Sequence, residues 1–263
     1  MESSDLYHHR GFMLDTGRKF FPVRAILDLL TVLHEHNFNV FHWHIDDAES
    51  FPLLWPADRG LTDVSIRYSH APHYYIPEDI HTVIMYAQKL GILRQPQIYS
   101  HITNLISTMD QYFQPPPPPL HHFGADEVAY IWHTNNDNQL FESFPHWLRN
   151  LCPNKSRIMW DYALTDAGKG SALDRDWIIQ TWHNGVTQGV LDRGHRVIVS
   201  ESDTFYIGNA DADQLSAFRF PDHSNVLGLE VVWFTSEGDD PRDFRRSWVM
   251  EPIRAASKIR RRY

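Results

Sequence analysis

The chain has 263 residues, 42% of them apolar and 13% aromatic, which suits one large core; a single α/β barrel is typically about 250 residues. A net charge of −9 argues against a nucleic-acid surface, because phosphate binding needs clustered Lys and Arg. One cysteine, Cys152, rules out an intrachain disulfide and reads as an inert half-buried thiol.

The first residues, MESSDLYHHRG, lack the apolar stretch of a signal peptide, and no segment approaches the roughly 18 apolar residues of a membrane span. The expectation is an intracellular chain or one whose leader is missing from this sequence. Residues 12–15 (FMLD) read as a first strand, followed by a helix in PVRAILDLLTVLHEH, with Pro22 at its start and Ile26, Leu29, Leu30 and Leu33 on one face. NVFHWHIDD (39–47) is a second strand. PEDIHTVIMYAQKLG is a second helix, apolar at Ile80, Val83, Ile84, Ala87 and Leu90 and stopped by Gly91.

ILRQPQI (92–98) makes a poor third strand, since Pro96 removes a ladder donor. ITNLISTMDQYF reads as a helix closed by Pro115 to Pro119, an extended polyproline spacer. Further strands are expected at HHFGADEV, SRIMWDY, WIIQTWH, RVIVSES and NVLGLEVVWF, and a last helix over about 243–259, interrupted near Pro252. The basic run Lys258, Arg260, Arg261 and Arg262 reads as a solvated tail. The pairs His8–His9 and His121–His122 read as surface or strand-edge residues.

Strands alternating with helices argue for a parallel sheet, and eight of them for a closed (β/α)₈ TIM barrel, an α/β fold whose active site lies at the C-terminal strand ends. A barrel incomplete around strand three is the alternative form of this expectation. The polar residues fall where that rule asks. Strand two ends in Asp46 and Asp47, strand four in Asp126 and Glu127, and strand five carries Trp160 and Asp161. Strand six ends near Trp182, strand seven runs into Tyr206, and strand eight into Trp233 and then Glu237. Carboxylates that bond hydroxyls, beside rings that stack on C–H faces, suit a neutral sugar. Any one acidic strand end alone reads equally well as a helix cap.

HRGFMLDTGRKFFPV, FNVFHWHIDDAESFP and HFGADEV, followed by WDYA, QTWHNG, VIVSESDTFY and VVWFTSE, resemble the characteristic segments of the β-N-acetylhexosaminidases, family twenty of the glycoside hydrolases. The resemblance implies exo-hydrolysis of terminal β-linked N-acetylglucosamine or N-acetylgalactosamine, with retention and the substrate's own acetamido oxygen as nucleophile. It makes Glu127 the general acid and base, Asp126 the acceptor of the acetamide N–H, and Tyr206 a donor to the acetamido oxygen. It gives Arg10 to the sugar hydroxyls, Asp47 to the segment lining the pocket, Trp160, Trp182 and Trp233 to the pocket walls, and Glu237 to the ring hydroxyls. No metal or organic cofactor is implied. A carbohydrate substrate, homodimers and a secretory or lysosomal compartment are what the family suggests; the chain itself shows none of them.

The chain departs from the family pattern at GILRQPQIYSHIT, where Gln97 and Tyr99 stand for acids and His101 is the one survivor. The connection to strand four is shortened, Ile207 and Gly208 follow Tyr206 where a carboxylate is common, and the small α/β domain that usually precedes the barrel has no counterpart. The expectation is a single catalytic domain over residues 1–263, with a sugar-binding pseudoenzyme or an incomplete gene model as the alternatives. A metal-dependent hydrolase using His42 and His44, two apart on one strand face, is a further rival.

Overall fold

Eight parallel strands pair in chain order and close on themselves in a computed structural model of the protein. It describes residues 6–47, 50–56, 58–97, 120–126, 135–151, 153–162, 173–209, 211–236, 238–240, 244–245 and 248–261. The strands are β1 (His9–Asp15), β2 (Val40–His44), β3 (Leu93–Gln97), β4 (Leu120–His122), β5 (Ser156–Trp160), β6 (Ile178–Thr181), β7 (Arg196–Val199) and β8 (Val226–Trp233). The described helices are α1 (Val23–Glu35), α2 (Arg59–Ser69), α3 (Pro77–Lys89), α4 (Asn135–Leu151), α5 (Thr187–Asp192), α6 (Ser202–Phe205), α7 (Ala212–Ala217) and α8 (Met250–Ala256). None of them is long and apolar enough to cross a membrane.

The two helices with the strongest sequence periodicity form as expected. α1 buries Ala25, Ile26, Leu29, Leu30, Val32 and Leu33 against the outside of the barrel, each large side chain contributing about 1.5–3 kcal/mol. α3 starts at Pro77 with the Asp79 carboxylate accepting the Ile76 N–H, and it buries Ile80, Val83, Ile84 and Ala87. It stops where Gly91 turns left-handed at φ 70°. The last helix is shorter than its sequence suggests, with Pro252 in the first turn, where a missing N–H costs no helical bond. The segment expected as a helix over ITNLISTMDQYF, the polyproline run and Cys152 lie outside the described residues.

β3 forms despite Pro96, paired with β2 over Val40–His44. On its other side it meets β4, where Gln97 pairs with His122 among the described residues.

Side chains alternate across each strand, so every second residue points into the barrel. Low in the barrel the inward residues of β5, β6 and β7 are Ile158, Ile178 and Ile198, an apolar plug. Two residues further along each chain stand Trp160, Gln180 and Ser200, and here the interior becomes polar. The carboxylate of Glu230, fully buried on β8, accepts from His42 Nδ1 at 2.6 Å, His9 Nε2 at 3.0 Å and Gln180 Nε2 at 2.9 Å. His42 stacks on His122, centroids 4.8 Å apart. His9, His121 and His122 are buried rather than at the surface or strand edge expected from sequence, and His8 is exposed.

Two glycines make room for this clasp. A Cβ on Gly11 would lie 2.4 Å from Glu230 Oε2, and one on Gly228 would lie 1.7 Å from the His9 carbonyl oxygen. Gly11→Ala is expected to lower stability by about 1–3 kcal/mol through overpacking, read as a shift of the urea midpoint at unchanged slope.

Candidate active site

The C-terminal rim is built by the loops that follow the strands. β1 ends in Asp15, fully buried, whose carboxylate accepts the backbone N–H groups of Gly17 and Arg18 and the Arg18 Nη1 at 2.8 Å. Arg18 also reaches Asp47 from Nη2 at 2.9 Å and lies over the ring of Phe234 at 4.9 Å. Asp47 in turn stands 3.5 Å from His44 Nε2. Burial pulls the His44 pKa down, but the Asp47 contact and the charges of Asp15, Asp46 and Asp47 outweigh it and hold it raised. A guanidinium shared by two carboxylates on different loops pins the β1 and β2 rims together.

Beside it is an aromatic cup. Met13, Trp160 and Val232 form a buried floor, and Trp182, Tyr206 and Phe234 stand half-buried against it. Tyr206 packs on Phe234 at 5.4 Å and bridges to Val232. Trp182 is held by Asp161. The Asp161 carboxylate accepts the Trp182 and His183 backbone N–H groups and the His183 Nδ1, the last at 2.6 Å, while the Trp182 indole donates to its carbonyl. Burial pushes the Asp161 carboxyl up, and these bonds recover only part of the shift. Glu201 fixes the same loop by accepting from Gly185 N and Thr187 Oγ1.

Asp161→Ala would leave two backbone donors without an acceptor. It is expected to cost about 1–3 kcal/mol, seen as a lower melting temperature with quenched order around Trp182 in near-UV circular dichroism.

After β4 the chain turns sharply. Gly124 and Ala125 both adopt left-handed backbone, φ 63° and 65°, a conformation glycine takes freely and alanine only at a cost. The Gly124 N–H donates to His122 Nδ1, and the Gly124 carbonyl accepts the Trp160 N–H. The turn brings half-buried Asp126 onto the rim next to β5. Glu127, Glu237 and His101 lie outside the described residues.

Of the residues expected at the site from sequence, Asp47, Asp126, Trp160, Trp182 and Tyr206 stand at the C-terminal rim or on the cup floor. Two do not. Arg10 is the second residue of β1, at its N-terminal end, with its guanidinium donating to the carbonyls of Asn37 and Tyr7 on the opposite face of the barrel. Arg18, eight residues later and just past the strand end, occupies the place proposed for it. Trp233 points outward into the layer between sheet and helices, packed on Phe21, Phe244 and Trp248. Phe234, one residue on, takes the inner face. The signals were present: Arg18 follows strand-end Asp15 by three positions, and strand parity counted from Glu230 gives Phe234. His42 and His44 share the inner face as the metal rival required, but His42 spends Nδ1 on Glu230. Among the described residues no group of three or more His, Cys, Asp or Glu is arranged to hold a metal ion.

A closed parallel barrel with carboxylates, a fixed arginine and aromatic rings on its C-terminal rim is an enzyme-type barrel whose rim suits a neutral sugar ring. The model of glycosyl hydrolase family 20, catalytic domain, matches residues 7–98 and 92–230, and the chain belongs to that family. A β-hexosaminidase subunit beta from Felis catus is 41% identical over 244 residues, 70% of this chain and 44% of its own length. A chitooligosaccharidolytic β-N-acetylglucosaminidase from Bombyx mori is 24% identical over 340 aligned positions, covering 92% of this chain and 56% of the relative. That alignment is longer than the chain itself, so the relative carries stretches with no counterpart here. The chain spans about half the length of the curated relatives it matches. Among solved structures, a family 20 exo-β-N-acetylglucosaminidase from Vibrio harveyi, in complex with N-acetylglucosamine, superposes with a TM-score of 0.76 at 18% identity, over 96% of this chain and 55% of that one. At that identity the likeness shows the fold.

Proposed function

We propose that the protein is an exo-β-N-acetylhexosaminidase that removes terminal β-linked N-acetylglucosamine or N-acetylgalactosamine by substrate-assisted, retaining catalysis. The observation that carries this reading is the left-handed Gly124–Ala125 turn, which brings Asp126 to the rim of a family 20 barrel that also carries the aromatic cup.

In this reading the sugar stacks in the cup, and Arg18 and Asp47 take its hydroxyls. Asp126 accepts the acetamide N–H and turns the carbonyl oxygen toward the anomeric carbon; Tyr206 donates to that oxygen. Glu127 protonates the leaving oxygen as the acetamido oxygen attacks, giving an oxazolinium ion. Glu127 then deprotonates a water that opens the ion, and two inversions leave the β configuration. Asp126 stabilises the positive charge on the ring nitrogen while the ion exists. The domain is single across the chain, and the family relation points to a secretory or lysosomal compartment.

The test is hydrolysis of an aryl N-acetyl-β-glucosaminide by the purified chain, with the matched β-glucoside as control. Turnover of the first alone is expected, since the glucoside has no internal nucleophile. A second reading, a sugar-binding protein with impaired catalysis, is favoured by Gln97 and Tyr99 standing where the family pattern has acids. It predicts binding of N-acetylglucosamine, seen by calorimetry, without turnover.

A further inference from the structure

A second concave site lies at the other end of the barrel. Tyr7 leads into β1, residues 218–224 lead into β8, and residues 258–261 follow α8, so the cavity they enclose, of about 760 Å³, opens on the N-terminal face. Its wall is aromatic: Phe220 packs on Tyr7 and on Phe218, both at 5.0 Å between centroids. Its lining carries Arg219, Lys258, Arg260 and Arg261, against one carboxylate, Asp222.

Of the basic run expected to be a solvated tail, Lys258, Arg260 and Arg261 line this cavity, and Arg262 lies outside the described residues. Arg260 and Arg261 are half-buried, and the Arg261 guanidinium lies over the Tyr7 ring at 5.9 Å. Arg219 and Arg260 donate to nearby backbone carbonyls through Nη1, and none of the four cations pairs with a carboxylate among the described residues. Arg10 stands behind Tyr7, donating to its carbonyl. Burial, and after it the nearby Arg260 charge, lower the Arg10 pKa. In a chain of net charge −9, four cations converging on one cavity whose described lining holds a single carboxylate, Asp222, are a cost that a bound anion removes.

We propose that this cavity binds a small phosphate or sulfate monoester, its oxyanion held by the guanidinium and ammonium groups and its organic part against Tyr7, Phe218 and Phe220. Guanidinium forks match tetrahedral oxyanions, and the rings match an apolar or sugar-like body. The inference does not depend on the chemistry proposed for the barrel mouth.

The test is calorimetric titration of the full chain with phenyl phosphate, inorganic phosphate and phenol at constant ionic strength. Saturable binding of phenyl phosphate is expected, tighter than that of inorganic phosphate, with none of phenol. Arg219→Ala and Lys258→Glu, both at exposed positions, should each weaken phenyl phosphate about tenfold. Saturating N-acetylglucosamine should leave the titration unchanged. Absence of saturable anion binding, undiminished binding in both variants, or displacement by N-acetylglucosamine would overturn the proposal.

Discussion

Glu127→Gln is expected to lower kcat on N-acetyl-β-glucosaminides with sugar leaving groups by about 10²–10⁴-fold, with KM little changed. The amide cannot donate the proton that an alkoxide leaving group requires. A 4-nitrophenolate leaves with far less help, so its loss should be much smaller. This leaving-group dependence separates loss of an acid from general damage to the site. Asp126→Asn should behave differently, harming both substrates alike, because the acetamido oxygen is misdirected before any bond breaks. Equal losses on both leaving groups for Glu127→Gln would take the acid role away from it.

Glu230→Ala carries the other large effect. The carboxylate sits at zero exposure and serves His9, His42 and Gln180 on three other strands. Removing one member of a buried charged cluster costs about 3–5 kcal/mol, because the remaining donors stay buried without an acceptor. A comparable fall in unfolding free energy from urea denaturation is expected, and Glu230→Gln should recover part of it. Burial raises the Glu230 pKa, but the His42 and His9 contacts outweigh it and hold the carboxyl well below its ordinary value of 4.5. A depressed folded pKa contributes stability that is present above the unfolded value and lost as pH falls through the folded one. The natural chain should therefore lose stability as the pH drops below about 4.5, and Glu230→Gln should show a shallower dependence over that range.

The parts of the fold that follow local periodicity were legible in the sequence. α1 and α3 appear with the apolar faces read from their spacing, because a 3.6-residue pattern with a proline start and a glycine stop depends on nearby residues alone. The parallel barrel was legible from the alternation of strand and helix. What failed depended on strand parity, strand polarity or distant partners. Trp233 and Phe234 are adjacent rings, and a one-residue shift in parity exchanges wall for core. Arg10 and Arg18 flank the same strand, and only the extension of β1 back to His9 shows that Arg10 is at the wrong end. The inward placing of His9 and His42 answers to Glu230, 221 and 188 residues away, which no local pattern reveals. The Asp161–His183 pair escaped for the same reason: its members lie on adjacent strand ends but far apart in sequence.

The most direct measurement of substrate-assisted catalysis is the hydrolysis rate across a series of aryl β-glucosaminides whose acetamide methyl carries successive fluorines. Fluorine withdraws electrons from the carbonyl oxygen, so an internal nucleophile must weaken at each step. A steep, graded fall in kcat/KM along the series is the expected result. A flat series with sustained turnover would mean that the attacking group comes from the protein or from water, and would contradict the central claim.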